Sequence, residues 1–333
     1  MRSLSEFMKP ALITGLLLLI SSCEKPEGLL DPLDSESWEV NNTSNSGLQG
    51  NDIRDITMDS NGNLWFACYG SGISKYDGQK WTVYNELNSP LASDYVEVIM
   101  ENMNGDMWFG GYSGISMLAD GNDWDFFNDT DYGGTYVNAL FMDSENRIWV
   151  GTEGTGFYIY EDGVFDGPYV YDYYDGYYYV NDFTEDSEGN IWMGTDTSIV
   201  VFSGNSQIPF YVFDSYPVIN KLYTDSKGRV WVAADGGETV SYYQDGYFRY
   251  ISLYTGGTNY FVYDIIEDKQ NNIWFATYLD GLILYDGIIN RSYKPYNGFP
   301  SEWNDCLEVD REGSIWIGTL ELGAIRFNPP VKY

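Results

Sequence analysis

The sequence contains no histidine in 333 residues. That absence excludes Ser-His-Asp and Cys-His nucleophilic catalysis, histidine metal ligation and a phosphoacceptor histidine. Cysteine is almost as scarce. Cys23, Cys68 and Cys306 are the whole complement, too few for a catalytic zinc site once histidine is gone. Basic residues are outnumbered, 17 against 50 acidic, and the formal net charge is −33. Such a surface repels phosphate backbones and anionic headgroups, so nucleic acid is not an expected partner. Long apolar runs are missing too. The one candidate, Ala11 to Ile20, is well short of the roughly 20 residues that cross a bilayer.

That run belongs to a targeting segment. Arg2 and Lys9 give it a positive start, and it ends in Ile20-Ser21-Ser22-Cys23. A branched apolar residue, two small residues and a cysteine form the pattern of a bacterial lipobox, in which the cysteine receives the lipid. Residues 1–22 are therefore expected to be a signal peptide and Cys23 the lipidation site, with Glu24 compatible with export to the outer membrane. Residues 23–36, rich in Pro, Gly and acids, read as a lipidated tether. The expectation is an outer-membrane lipoprotein, periplasmic or surface-exposed, that meets the membrane only through this lipid anchor.

What is abundant is aromatic and repetitive. Aromatic residues make up 18% and hydrophobic residues 44% of the chain, which favours a packed β protein over disorder. The string DSNGNLWFA around Trp65 returns in variant form around Trp108, Trp149, Trp192, Trp231, Trp274 and Trp316, at gaps of 43, 41, 43, 39, 43 and 42 residues. In each copy a strand precedes a tight turn and a tryptophan-bearing strand follows it. The turn carries Gly62, Gly105, Asn146, Gly189, Gly228, Asn271 or Gly313, residues that tolerate a left-handed backbone. A second turn, Asp-Gly, recurs at Asp77, Asp120, Asp162, Asp245 and Asp286. Four short antiparallel strands in about 42 residues make a propeller blade. The prediction is an all-β, seven-bladed propeller over residues 37–333. Its seventh blade runs out of chain after Ala324 to Phe327, and residues 37–42, which match the fourth strand of blades one and two, are predicted to complete it and close the ring. A monomeric domain is expected.

The equivalent tryptophans read as inter-blade packing rather than as a ring of sugar platforms. Binding is expected where the copies differ, on the loops of the rim opposite the turns. Thirteen residues before each tryptophan stand Asp52, Tyr95, Tyr136, Tyr179, Val218, Phe261 and Trp303. Two residues further on stand Arg54, Glu97, Asn138, Asn181, Asn220, Tyr263 and Asp305. The loops after the tryptophan strand add Tyr69, Tyr112, Glu153, Asp196, Asp235, Tyr278 and Glu321, and Tyr169 to Asp182 is a tyrosine-rich loop. An aromatic mouth with polar groups beneath it suits a glycan or a peptide. The alternative is that these rings cap the blade tops. DSNGN departs from calcium-loop spacing, so no metal or cofactor site is expected. Glu97 with Asp305 and Glu185 with Asp186 are carboxylate pairs without the marks of an acid/base couple. Cys68 and Cys306 fall in neighbouring blades, where an exported protein permits a disulfide.

The unit V-x-x-[IL]-x-x-D-x-x-G-x-[IL]-W-[IVF]-[GA]-T, followed by G-[IL]-x-x-[YF]-D, resembles the two-component regulator propeller repeat. VNDFTEDSEGNIWMGT (180–195) and CLEVDREGSIWIGT (306–319) match it best, and all seven copies fit over about 53–327. The resemblance implies an extracytoplasmic sensor propeller of the kind found in hybrid histidine kinases, commonly of Bacteroidetes, that respond to glycans. Neither a kinase domain nor a histidine accompanies it here, so kinase activity is not expected to carry over. The virginiamycin B lyases, another seven-bladed family of similar period, rely on histidine. Three roles follow as expectations. The first is a ligand-binding or sensing module for a glycan or peptide. The second is a scaffold recognised by an envelope protein partner. The third is a carboxylate-dependent polysaccharide hydrolase or lyase.

Overall fold

A computed structural model describes residues 38–119, 122–128, 131, 136–169, 179–203, 206–210, 218–235, 239–253, 261–288 and 290–329. The signal segment, Cys23, the tether, Asp120 and residues 170–178 of the tyrosine-rich loop lie outside the described residues. No helix among the described residues is long and apolar enough to cross a membrane.

Seven four-stranded antiparallel sheets stand around one axis. In blade 1 strand A is Ile53–Met58, B is Leu64–Cys68, C is Gly72–Tyr76 and D is Trp81–Tyr84. The A strands of adjacent blades touch and so line the axis. Blade 7 is completed from the other end of the chain. Trp38–Asn41 pairs antiparallel with Ala324–Phe327, Trp38 opposite Phe327 and Asn41 opposite Ala324. The closing strand thereby covers the edge that Ala324–Phe327 would otherwise leave open.

The repeated turn and the repeated tryptophan are one device. In six blades the turn aspartate accepts the backbone N–H four residues on through Oδ1 and the indole N–H six residues on through Oδ2. The indole bonds, from Trp65, Trp149, Trp192, Trp231, Trp274 and Trp316, run from 2.7 to 3.0 Å. Each ring is thereby fixed against the following blade. Trp65, for example, packs with Val96, Ile99 and Phe109 of blade 2. The small residue two after each tryptophan has its own reason. A Cβ on Gly194 would stand 2.7 Å from Ile219 of the next blade, and one on Gly318 would stand 2.9 Å from the Ile53 carbonyl oxygen of blade 1. Large residues there would wedge the blades apart.

Cys68 and Cys306 share one buried cluster but are free thiols, not a disulfide. Each sulfhydryl faces its own acceptor, Cys68 the Ser74 hydroxyl at 3.5 Å and Cys306 the Ile53 carbonyl at 3.8 Å. Burial pushes both thiols up, away from the reactive thiolate.

Candidate functional site

Every A strand slips register against its B strand at the same place. The shift falls between Ile53 and Asp55, Val96 and Val98, Val137 and Ala139, Val180 and Asp182, Ile219 and Lys221, Val262 and Asp264, and Asn304 and Cys306. The unpaired residues are therefore Arg54, Glu97, Asn138, Asn181, Asn220, Tyr263 and Asp305. A β-bulge re-aims the side chain at the extra residue and tightens the local twist. Seven bulges in register give one ring of re-aimed side chains at the loop end of the axis. Glu97, Asn138, Asn181, Asn220 and Tyr263 line a single open depression of about 280 Å³, together with Asp196 and Val218.

Two aromatic arcs flank this depression. In the first, ring centroids step from Tyr69 to Tyr95 at 5.0 Å, on to Tyr112 at 6.3 Å and to Tyr136 at 5.9 Å. The second runs from Tyr263 to Tyr278 at 6.2 Å and stacks Tyr278 on Trp303 at 5.8 Å. Tyr112 is 62% exposed, Tyr95 46% and Tyr263 37%. Phe261 pairs with Tyr278 across its sheet, and the backbone of Tyr179 bridges to Glu153. Both residues are half-buried and sit beside the mouth.

Charge at the mouth is arranged in pairs. The Tyr136 hydroxyl donates to Glu97. Burial, and then that carboxylate, push the phenol well above its usual range, and burial raises Glu97. Arg54 lies 2.9 Å from Asp52 and 3.8 Å from Asp305, with its guanidinium 4.7 Å above the Tyr69 ring. Burial opposes the Arg54 charge, yet its acidic neighbours hold it protonated. Asn181 donates its amide N–H groups to Asp196 and the Ile219 carbonyl, at 2.9 and 3.1 Å. Asn220 donates likewise to Asp235 and the Val262 carbonyl, at 2.6 and 3.2 Å.

Below the bulges lies a layer that reading the sequence did not single out. Asp55, Asp182 and Asp264 each accept the backbone N–H of the following blade, from Ile99, Leu222 and Leu307, at 2.7, 2.8 and 2.6 Å. Lys221 stands between two of them, 3.6 Å from Asp182 and 3.4 Å from Asp264. Burial pushes Asp55, Asp305 and Glu308 up to about 7. Burial disfavours the Lys221 charge as well, but the surrounding acids outweigh it and raise its pKa. The signal in the sequence was an acid at one position of three A strands, which only the bulge turns into a channel position. Among the described residues no group of three acids or cysteines is placed to hold a metal ion.

The two component regulator propeller profile matches residues 47–70, 131–154, 175–197 and 256–279, in blades 1, 3, 4 and 6. No curated protein matches the sequence. Among solved structures, the extracellular domain of a hybrid two component system from B. thetaiotaomicron superposes with a TM-score of 0.70 at 19% identity, over 85% of this chain and 41% of that one. A virginiamycin B lyase from Staphylococcus aureus gives 0.73 at 15% identity, over 88% and 99%. PorZ, a surface component of the type-IX secretion system of Porphyromonas gingivalis, gives 0.67 at 17% identity, over 84% and 46%. This chain thus spans about two fifths of the hybrid-system domain. At these identities the superpositions speak for the fold. The family profile speaks for the repeat: four of the seven blades match the two component regulator propeller repeat.

Proposed function

We propose that this propeller is an extracytoplasmic recognition module that binds a hydroxyl-rich glycan or a peptide at its loop mouth. One observation carries the reading: five of the seven in-register bulges aim mostly acceptor side chains into a depression flanked by aromatic arcs. Asn181 and Asn220 use their amide N–H groups on an aspartate of their own blade and a carbonyl of the next, so what they offer a ligand is carbonyl oxygen. Glu97 and Asp196 add further acceptors. A ligand that donates hydrogen bonds and offers flat apolar faces, such as a neutral sugar chain, complements that set. A sulfated or uronate-rich chain meets like charge. Calorimetric titration with neutral and uronate oligosaccharides tests this. Neutral chains are expected to bind, and Tyr112→Ala and Asn220→Ala to weaken them about tenfold each. Unchanged affinity in both variants removes the mouth from the reading.

The exposed Tyr95 and Tyr112 favour a second occupant of the same rim, an envelope protein partner, since open tyrosines are typical anchors of protein interfaces. Stable co-purification of a partner, lost in Tyr112→Ala and without glycan binding, would select it. Delivery to the outer membrane rests on the lipobox ending at Cys23. Radiolabelled palmitate should be incorporated by the wild type and not by Cys23→Ser.

A further inference from the structure

The mouth has two chemically different sides. In blades 1, 2 and 6 the residue four after the tryptophan is a tyrosine: Tyr69, Tyr112 and Tyr278. In blades 3, 4 and 5 that place holds an acid, Glu153, Asp196 or Asp235. The bulge residue 15 before it is an asparagine each time, Asn138, Asn181 or Asn220.

In blades 4 and 5 hydrogen bonds fix which way the amide faces. Asn181 Nδ2 stands between two acceptors, an Asp196 carboxylate oxygen and the Ile219 carbonyl of the next blade. Asn220 Nδ2 stands likewise between Asp235 and the Val262 carbonyl. Only an NH2 group can face two acceptors, and it has two hydrogens to give. Both are engaged. A flipped amide would set oxygen against oxygen twice. Each side chain therefore turns its Oδ1, and no donor, to whatever enters the depression that both of them line.

The rest of the lining agrees. Glu97 accepts the Tyr136 hydroxyl through one carboxylate oxygen, and Asp196 accepts Asn181 through one of its own. Each keeps a second oxygen. Asn138 and the Tyr263 hydroxyl can accept or donate, and so adapt. Among the described residues no lysine or arginine lines the depression. Arg54, the bulge residue of blade 1, is held by Asp52 and Asp305. Burial raises the Asp196 carboxyl, the Asn181 hydrogen bond opposes that, and Glu153 and Asp235 push it up again.

Such a set asks for a group that is all donor. A sugar hydroxyl gives one hydrogen and brings an acceptor oxygen with it. An ammonium gives three and brings none, with a charge that the carboxylates favour. A guanidinium pairs best with both oxygens of one carboxylate, and here Glu97 and Asp196 each have one engaged. On the other side of the mouth the tyrosines suit flat apolar faces. An ammonium carried on a ring meets both requirements at once. The ammonium of lysine ends a flexible stem with no flat face.

We propose that the mouth selects an amino sugar: a glycan ring whose free primary amine, protonated, sits against the Asn181 and Asn220 oxygens while the ring lies toward the tyrosine side. The inference rests on the mouth being the binding site and narrows what binds there.

The test compares two tetrasaccharides of one linkage, β-1,4-linked glucose and β-1,4-linked glucosamine, which differ by a hydroxyl against an ammonium on each ring. Each is titrated calorimetrically into the full chain at about pH 6 and constant ionic strength. The amine tetramer is expected to bind about tenfold more tightly. Asn181→Ala and Asn220→Ala each remove an oxygen and leave the net charge alone, so they should bring the two affinities together. A preference owed only to the overall acidity would survive them. Should both variants fail to fold, Asn138→Ala removes a neutral acceptor from the same depression and should narrow the gap. Tyr112→Ala should weaken both tetramers alike and keep the preference. Equal affinity for the two tetramers, an undiminished preference in the asparagine variants, or equally tight binding of acetyl-Gly-Lys-Gly-amide would each overturn the proposal while the mouth stands as the binding site. Binding of neither tetramer would remove the mouth as a sugar site, and the proposal with it.

Discussion

Blade 2 shows what one residue of the turn device is worth. Asn102 stands where the other blades have aspartate, and Asp106 stands at the partner position four residues on. Acid and amide have exchanged places, relative to Asp59 with Asn63, Asp186 with Asn190 and Asp268 with Asn272. The Asn102 amide donates to Asp106 at 2.9 Å, and the indole N–H of Trp108 is buried without a hydrogen-bond partner among the described residues. Leaving a buried donor unmet costs on the order of 1–3 kcal/mol. Restoring the common order with Asn102→Asp and Asp106→Asn together should stabilise the fold by about 1 kcal/mol, read as a raised midpoint in urea. Asn102→Asp alone sets two carboxylates side by side and should gain less. Equal stability of double variant and wild type would mean that Trp108 is already satisfied.

At the level of strands and turns, much was legible from residues alone. The hairpin tips, the packing role of the tryptophans and the closing strand all follow from local chemistry repeated seven times, since a turn glycine or asparagine and a buried indole have few other uses. The bulge was not legible. Nothing in VNDFTE or INKLYT marks which residue drops out of the ladder. Counting back from the tryptophan nevertheless reached Arg54, Glu97 and their equivalents, because the bulge keeps the same place in every blade. The clamp in which Ser60 donates twice to Glu101 of the next blade was equally hidden, since the two are 41 residues apart. Both ends of the clamp are at the surface, so its strength is modest. A double-mutant cycle with Ser60→Ala and Glu101→Ala should return a coupling of about 1 kcal/mol. A coupling near zero would show that solvent screens the pair.

For the whole ring, the channel acids set a pH dependence. Asp55, Asp305 and Glu308 have folded pKa values of about 7, above their unfolded values near 4. Between those limits the folded state holds more protons than the unfolded state, so stability falls as pH rises from about 4 to about 7 and then levels. The net charge of −33 acts in the same direction, because acidification relieves self-repulsion. The melting temperature should therefore rise between pH 8 and pH 5. Below about pH 4 it should fall again, as acids with lowered pKa values, Asp310 among them, lose their ion pairs and hydrogen bonds. A calorimetric profile flat from pH 8 to pH 5 would contradict the burial of these groups. Asp55→Asn should reduce the slope.

The closing strand also gives the molecule a polarity. Trp38 lies opposite Phe327, where strand C runs into the turn rim, and Asn41 lies opposite Ala324 at the loop rim. The chain therefore enters the propeller from the turn side, on the outside of blade 7, and whatever precedes Trp38 is attached there. With a lipid at Cys23, the turn rim would look toward the bilayer and the mouth away from it. A soluble ligand would then meet the aromatic arcs unobstructed.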